Sequence, residues 1–386
     1  MGEKSLSDSD DEALATAPIT SSRKIHLPAL NGLRGIAILS VLVVHFAGVD
    51  PTVSGGLESD VPFLDLLAFV LGTPVFFVLS GFLLTGILIR ARGKPHYFRN
   101  FYARRSLRIF PLYFAVLVVL FLVAPGWGRS LGASSSPRWL WVFLENVELA
   151  RKNSWTFGFL NHFWSLSVEE QYYLVWPFLV LAVPPKRLLP VCVGLAGFAL
   201  VLRFAITVGW THLVGAYVLM PCQLDSLCAG GALAVVVHEG NADRLRRAAR
   251  IAVGAALAAY FLLGWYRLPW LSRPKIVGKP FLASLLCGGV LLLAIGETGF
   301  FRRVFGSGPL TFFGRYSYGL YAFHFPLLPF LVRWFPAARI GGAVGSPVGG
   351  VAIFVALSTA VCLVLSIASY ELYEKRFLRL KSRFGR

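Results

Sequence analysis

Ten stretches of this chain are apolar over lengths that suit a lipid bilayer, and that pattern limits the fold more than anything else in the 386 residues. A hydrocarbon core about 30 Å thick is crossed by about 20 mostly apolar residues in a helix. The stretches cover residues 30–48, 64–89, 107–124, 168–183, 190–208, 217–237, 251–265, 280–295, 316–334 and 348–372. The seventh is the weakest, being short and rich in Ala. Residues 139–149 are too few to cross and carry Glu145 and Glu148, so they read as an interfacial or re-entrant helix on the outer side. The expected fold is an all-α integral membrane protein of about ten transmembrane helices, multi-pass in the cell membrane.

Charge agrees with that reading. Only 15% of residues are charged, against about 25% in an ordinary soluble domain, and 56% are hydrophobic. Five Cys without CxxC spacing exclude a disulfide scaffold, and no metal is expected. The net charge of +18 invites nucleic acid, yet such binders gather their cations on one solvated face. Here the cations sit between apolar stretches, so the partner they suit is the bilayer and not nucleic acid. Of 37 Lys and Arg, 25 fall on one side of the spans and 10 on the other, with Arg34 and Arg203 inside helices. Positive residues are retained on the cytoplasmic side, which places both termini there. Residues 1–29 carry Glu3, Asp8, Asp10, Asp11 and Glu12 ahead of any apolar run, unlike a signal peptide. The organisation expected is a disordered cytoplasmic tail over 1–29, a membrane domain over 30–372 and a basic cytoplasmic tail over 373–386.

A titratable group in the bilayer is costly, so each one is a candidate for function. Arg34 and His45 lie 11 residues apart on the first helix, which brings both to one face, about 16 Å apart along the axis. Alone, Arg34 reads as a snorkelling cation and His45 as a packing histidine. Together they suit chemistry, since His is matched to taking a proton from a hydroxyl near neutral pH. Ser167-Val-Glu-Glu170 has the spacing of a capping box, in which Ser167 caps the fourth helix and Glu170 reaches back to it. Glu169 is left over, at a depth similar to His45.

On the inner side, Arg104-Arg105-Ser-Leu-Arg108 leads into the third span, and Arg105 and Arg108 share a helix face. Topology and anionic lipid explain such a run, and so does a polyphosphate gripped by guanidinium groups. Asp225 in the sixth span reads as a polar packing group or a functional one. Tyr321 and His324, ahead of Pro326, suggest a polar cavity at the ninth span. Ser80-Gly-Phe82 places small residues where helices pack closely in the second.

These motifs resemble the acyltransferase 3 family of transmembrane acyltransferases over about residues 30–372. The residues that carry the likeness are Gly32-Leu-Arg34 with His45, Phe76 to Phe82, Arg105-Ser-Leu-Arg108-Ile-Phe-Pro111, Trp164 to Tyr173, and Tyr316 to Tyr321 leading to His324. The resemblance implies transfer of an acyl group, acetyl or another short one, from acyl-CoA to a hydroxyl. It maps the family's essential Arg and His onto Arg34 and His45, and a CoA-phosphate site onto Arg105 and Arg108, with Arg104 beside them. Relatives often carry Arg two residues before the sixth-span Asp. Gln223 stands there, so Asp225 needs another partner or stays protonated. The acceptor is either a macrolide- or ansamycin-type natural product or a cell-surface polysaccharide. Some relatives of the second kind carry an appended serine-hydrolase-like domain, for which these residues hold no counterpart. Arg outnumbers Lys 28 to 9, a sign of a GC-rich genome, which tilts the expectation to the natural product. The mechanism expected is general-base catalysis by His45 with Glu169 orienting its ring, or an acyl-histidine route. A multi-pass transporter is the rival reading, and it predicts repeat symmetry that the two halves do not show.

Overall fold

Long helices form at all ten expected positions. They are α1 (Leu27–Ala47), α2 (Thr73–Ala91), α3 (Tyr97–Val118), α4 (Trp164–Ala182), α5 (Pro185–Ala205), α6 (Leu224–His238), α7 (Ala242–Trp265), α8 (Ser272–Ala294), α9 (Ser317–Trp334) and α10 (Pro347–Ser369). The computed structural model describes residues 27–48, 67–210, 212–265, 272–296 and 299–384, and no strand occurs among them. The acidic tail up to residue 26, the start of the second expected span at 64–66, and Arg267 lie outside the described residues.

Seven helices among the described residues are long and apolar enough to cross a membrane, three fewer than the ten expected. Two of the others, α4 and α9, fall short for a shared reason. Glu169, Glu170 and Gln171 lower the apolar content of α4, and Tyr318, Tyr321 and His324 that of α9. These are helices whose polar residues face protein rather than lipid.

Glycines set the closest crossings. A Cβ on Gly81 of α2 would collide with the Leu227 carbonyl oxygen of α6, and one on Gly230 with that of Val78. With Gly81 turned to α6, the adjacent Ser80 is free to face elsewhere. In the same way Gly314, in the short helix Gly308–Arg315, lies so close to α1 that a Cβ there would strike the Asn31 carbonyl. This contact fixes the register of α1 against the segment leading into α9, so both helices begin at one end of the bundle. Tyr97 and Tyr102 of α3 donate to the carbonyls of Pro177 (3.1 Å) and Leu174 (2.8 Å), which makes α3 and α4 antiparallel. Tyr318 of α9 donates to the Ile109 carbonyl at 2.6 Å, close to Pro111, where the helix ladder is interrupted. Hydroxyls thus tie the bundle together through carbonyls that lipid could not satisfy.

Within the segment between α3 and α4, the expected interfacial or re-entrant helix is two short helices. Residues 139–149 break into Arg138–Trp141 and Glu145–Lys152, with Phe143 at φ 54° between them. Glu145, Asn146, Glu148 and Leu149 are buried in protein. Asn146 and Gln171 of α4 exchange hydrogen bonds through their amides (3.2 and 2.8 Å). This segment packs as a cap on the bundle, with these polar residues turned into protein. The basic C-terminal stretch is also built in: Lys375–Arg379 and Leu380–Arg383 are helical, and Arg104 donates to the carbonyls of Lys381 and Phe384.

Candidate active site

A cavity of about 910 Å³ opens between the helices. It runs from Arg108 and Ser317, near the end where α1 and α9 begin, to Gly48, Trp155 and Lys279 at the opposite end. Arg34, His45, Ser80, Arg105, Arg108, Glu169 and Tyr321 all line it. The shared face read from the 11-residue spacing of Arg34 and His45 is therefore a cavity wall. Arg34 is half-buried and bonds Asn31 one turn back at 3.1 Å. Arg104 and His324, expected at the phosphate site and in the polar cavity, are not part of the lining, nor are Glu170 and Asp225.

His45 takes its partner from α9. Its Nδ1 is 2.9 Å from Nε2 of His324, and the two rings stack at 5.1 Å. His324 is fully buried, and its own Nδ1 faces the carbonyls of Tyr321 (2.8 Å) and Leu320 (3.1 Å). Carbonyl oxygens only accept, so in the neutral ring that nitrogen carries the proton and Nε2 of His324 is an acceptor. His45 must then donate from Nδ1, which leaves the lone pair on its Nε2. The arrangement fixes one tautomer and one orientation and provides a base at the cavity wall.

Glu169 does not serve His45 in this way. Ser80 donates to Glu169 Oε1 (2.8 Å) and Tyr173 to Oε2 (2.9 Å), and the two hydroxyls are 3.1 Å apart. Arg105 and Arg108 line the same cavity as this carboxylate. Two guanidinium groups beside a cavity are also suited to phosphate oxygens. The expected capping box is absent. The helix begins at Trp164, three residues earlier, with no side-chain cap, and Ser167 donates instead to Glu145 of the cap segment. Glu170 makes no cap bond, and its Oε1 is buried without a hydrogen-bond partner.

Two further expectations resolve differently. Arg104 lies one residue from Arg105, about 100° round the helix, and holds the C-terminal stretch rather than the cavity. Asp225 finds its cation on α5: Arg203 Nη2 is 2.9 Å from Asp225 Oδ2, with both side chains fully buried. Arg203 also donates to the carbonyls of Cys222 and Val277. The place left open by Gln223 is filled from another helix.

In the cap, hydrogen bonds from Arg151 hold the Glu148 carboxyl down at about 2, whereas burial pushes that of Glu145 up to about 8. At the cavity mouth beneath it, Trp155 is 45% exposed and its ring lies 6.2 Å from that of Tyr217, which also lines the cavity.

Sequence reasoning missed His162. It lines the cavity, is buried, and neither ring nitrogen has a hydrogen-bond partner. An unmet buried polar group costs about 1–3 kcal/mol. A titratable residue set directly before Phe163-Trp164 was the available signal.

A family model described as an acyltransferase domain matches residues 27–367 of the chain. The peptidoglycan O-acetyltransferase OatA of Listeria monocytogenes is 27% identical over 337 residues, covering 80% of this chain and 50% of that protein. The O-acetyltransferase OatA of Staphylococcus aureus is 25% identical over 341 residues, covering 82% of this chain and 53% of its own length. The chain spans about half the length of these curated relatives. No solved structure matches it.

Proposed function

We propose that this chain, which belongs to the acyltransferase 3 family and is a multi-pass membrane protein, transfers a short acyl group from acyl-CoA to a hydroxyl of a cell-surface carbohydrate. The observation that carries the reading is the contact of His45 Nδ1 with His324, which leaves Nε2 of His45 to act as the base, in one cavity with Arg105 and Arg108. His45 takes the proton of the acceptor hydroxyl, and the oxygen attacks the thioester carbonyl. General-base help of this kind is worth about 10²–10⁴-fold. Arg105 and Arg108 hold the CoA phosphates, and Glu169 fixes the Ser80 and Tyr173 hydroxyls beside them. Positioning both substrates in one cavity lowers the barrier further.

In this reading all ten long helices cross the membrane, which puts both termini on one side, and the excess of Lys and Arg there makes that side cytoplasmic. The domain over 30–372 is the catalytic unit. CoA enters at the end where α1 and α9 begin, and the acceptor at the mouth formed by Trp155, Tyr217 and Lys279. Aromatic faces there suit the apolar faces of sugar rings. The carbohydrate replaces the natural-product acceptor favoured by residue usage because both relatives named above are O-acetyltransferases, one of them of peptidoglycan by name.

The test uses the full chain in nanodiscs with radiolabelled acetyl-CoA, peptidoglycan glycan strands and a macrolactone. Label is expected on the glycan, and His45→Ala loses at least 10²-fold of the rate. Near-normal transfer by His45→Ala overturns the mechanism. Label on the macrolactone alone overturns the acceptor, and acceptor flux in vesicles without labelling supports a transporter.

A further inference from the structure

We propose that His162 is a second catalytic residue, whose ring N–H faces the acyl carbonyl oxygen in the cavity opposite the base His45 and receives the negative charge that forms there. The inference rests on the acyl-transfer reading above and adds to it the group that stabilises the intermediate.

Two buried histidines of the site differ in one respect. His324 has both ring nitrogens bonded, one to His45 and one to carbonyls of its own helix. His162 is 5% exposed and has neither bonded. Every neutral imidazole carries one donor and one acceptor, so His162 holds a complete pair of unmet groups. The main-chain carbonyl of Tyr321 is near enough to act on the ring, yet neither ring nitrogen has a partner in hydrogen-bond geometry. The neighbouring rings of Phe163 and Phe325 have no polar atom, and the Tyr321 hydroxyl donates to the main-chain carbonyl of His162 at 2.6 Å. A packing role would be filled as well by an apolar ring without this cost. The ring does form part of the cavity wall. A half-turn about its Cβ–Cγ bond exchanges nitrogen and carbon at that edge while leaving the ring in place. A ligand in the cavity is then the partner the protein does not supply.

The position suits the role. The ring of His162 is 5.0 Å from that of His324, which is 5.1 Å from that of His45. The rings stack and cross rather than converge, and no group able to hold a metal ion occurs among the described residues. In the reaction the acceptor O–H proton passes to Nε2 of His45 as the new C–O bond forms. The carbonyl π pair moves to oxygen, which accepts the N–H of His162. When the C–S bond breaks, the pair returns to the carbonyl and the CoA thiolate takes the proton from His45. A neutral N–H brought to the cavity edge by that half-turn acts in this way without itself changing protonation.

The experiment compares His162→Ala, His162→Asn and His45→Ala in full-length chain in nanodiscs, with acetyl-CoA and glycan strands, after thermal melts establish folding. His162→Ala is expected to lower kcat about 10²–10³-fold with both KM values within about threefold. His162→Asn, which retains an N–H donor, recovers about tenfold of that loss and stands alone as the test if the Ala variant does not fold. A kcat within about threefold of wild type in either variant, or a loss confined to the KM of the acceptor, overturns the proposal. If His45→Ala is inactive while His162→Ala is not, this inference alone fails. If His45→Ala remains active, the underlying reading fails.

Discussion

Asp225 and Glu169 are both carboxyls set within the helix bundle, and they meet opposite conditions. Asp225 faces a guanidinium at 2.9 Å in a site without solvent, and every charge there is matched. Glu169 has two hydroxyls for partners and a cavity in front of it. A charge neutralised at contact holds helices together, whereas one left to hydroxyls retains its field for whatever enters. Arg203 is likewise enclosed, whereas Arg105 and Arg108 line the cavity.

Breaking the enclosed pair gives the largest expected effect on folding. Asp225→Ala leaves Arg203 buried and alone, which costs about 3–5 kcal/mol, while replacing both residues by apolar ones of similar size restores most of it. Thermal melts in detergent check this, and a single variant as stable as wild type would remove the distinction between the two carboxyls. Glu169→Gln should do the reverse. Its melt stays close to wild type while transfer falls about 10–100-fold, the worth of one charge-assisted hydrogen bond. If it melts like Asp225→Ala, Glu169 belongs with the structural pairs.

The effect that takes a pH series to see belongs to Glu145, which has neither a cation nor a cavity and whose side-chain partner is Ser167. Burial raises its folded carboxyl from 4.5 to about 8. A group raised on folding stabilises fully below its unfolded value and loses that contribution as pH climbs through the folded one. The wild-type melt is therefore expected to decline from about pH 5 through about pH 8 and level off above it, and Glu145→Gln to flatten that decline. An equal slope in both proteins would count against it.

Features carried by one helix were legible in the sequence. The ten helices, the common wall of Arg34 and His45, and the pairing of Arg105 with Arg108 all follow from length and a 3.6-residue turn. Partnerships between helices were not. His324 stands 279 residues from His45, and no periodicity relates them. Arg203 replaces an Arg that a local pattern would place beside Asp225, because a buried charge needs a neighbour in space rather than in sequence. Ser167 has the spacing of a cap, but the short helical turn Gly158–Phe163 carries the chain into α4 earlier and leaves Ser167 inside it.

Imidazoles in series within a membrane make a conduction path when each can pass a proton on. The pair described here ends on the carbonyls of Leu320 and Tyr321, which accept a hydrogen bond but have no proton to release. The line from His45 is a dead end. A proton held at His45 is therefore handed back to the cavity and not along α9.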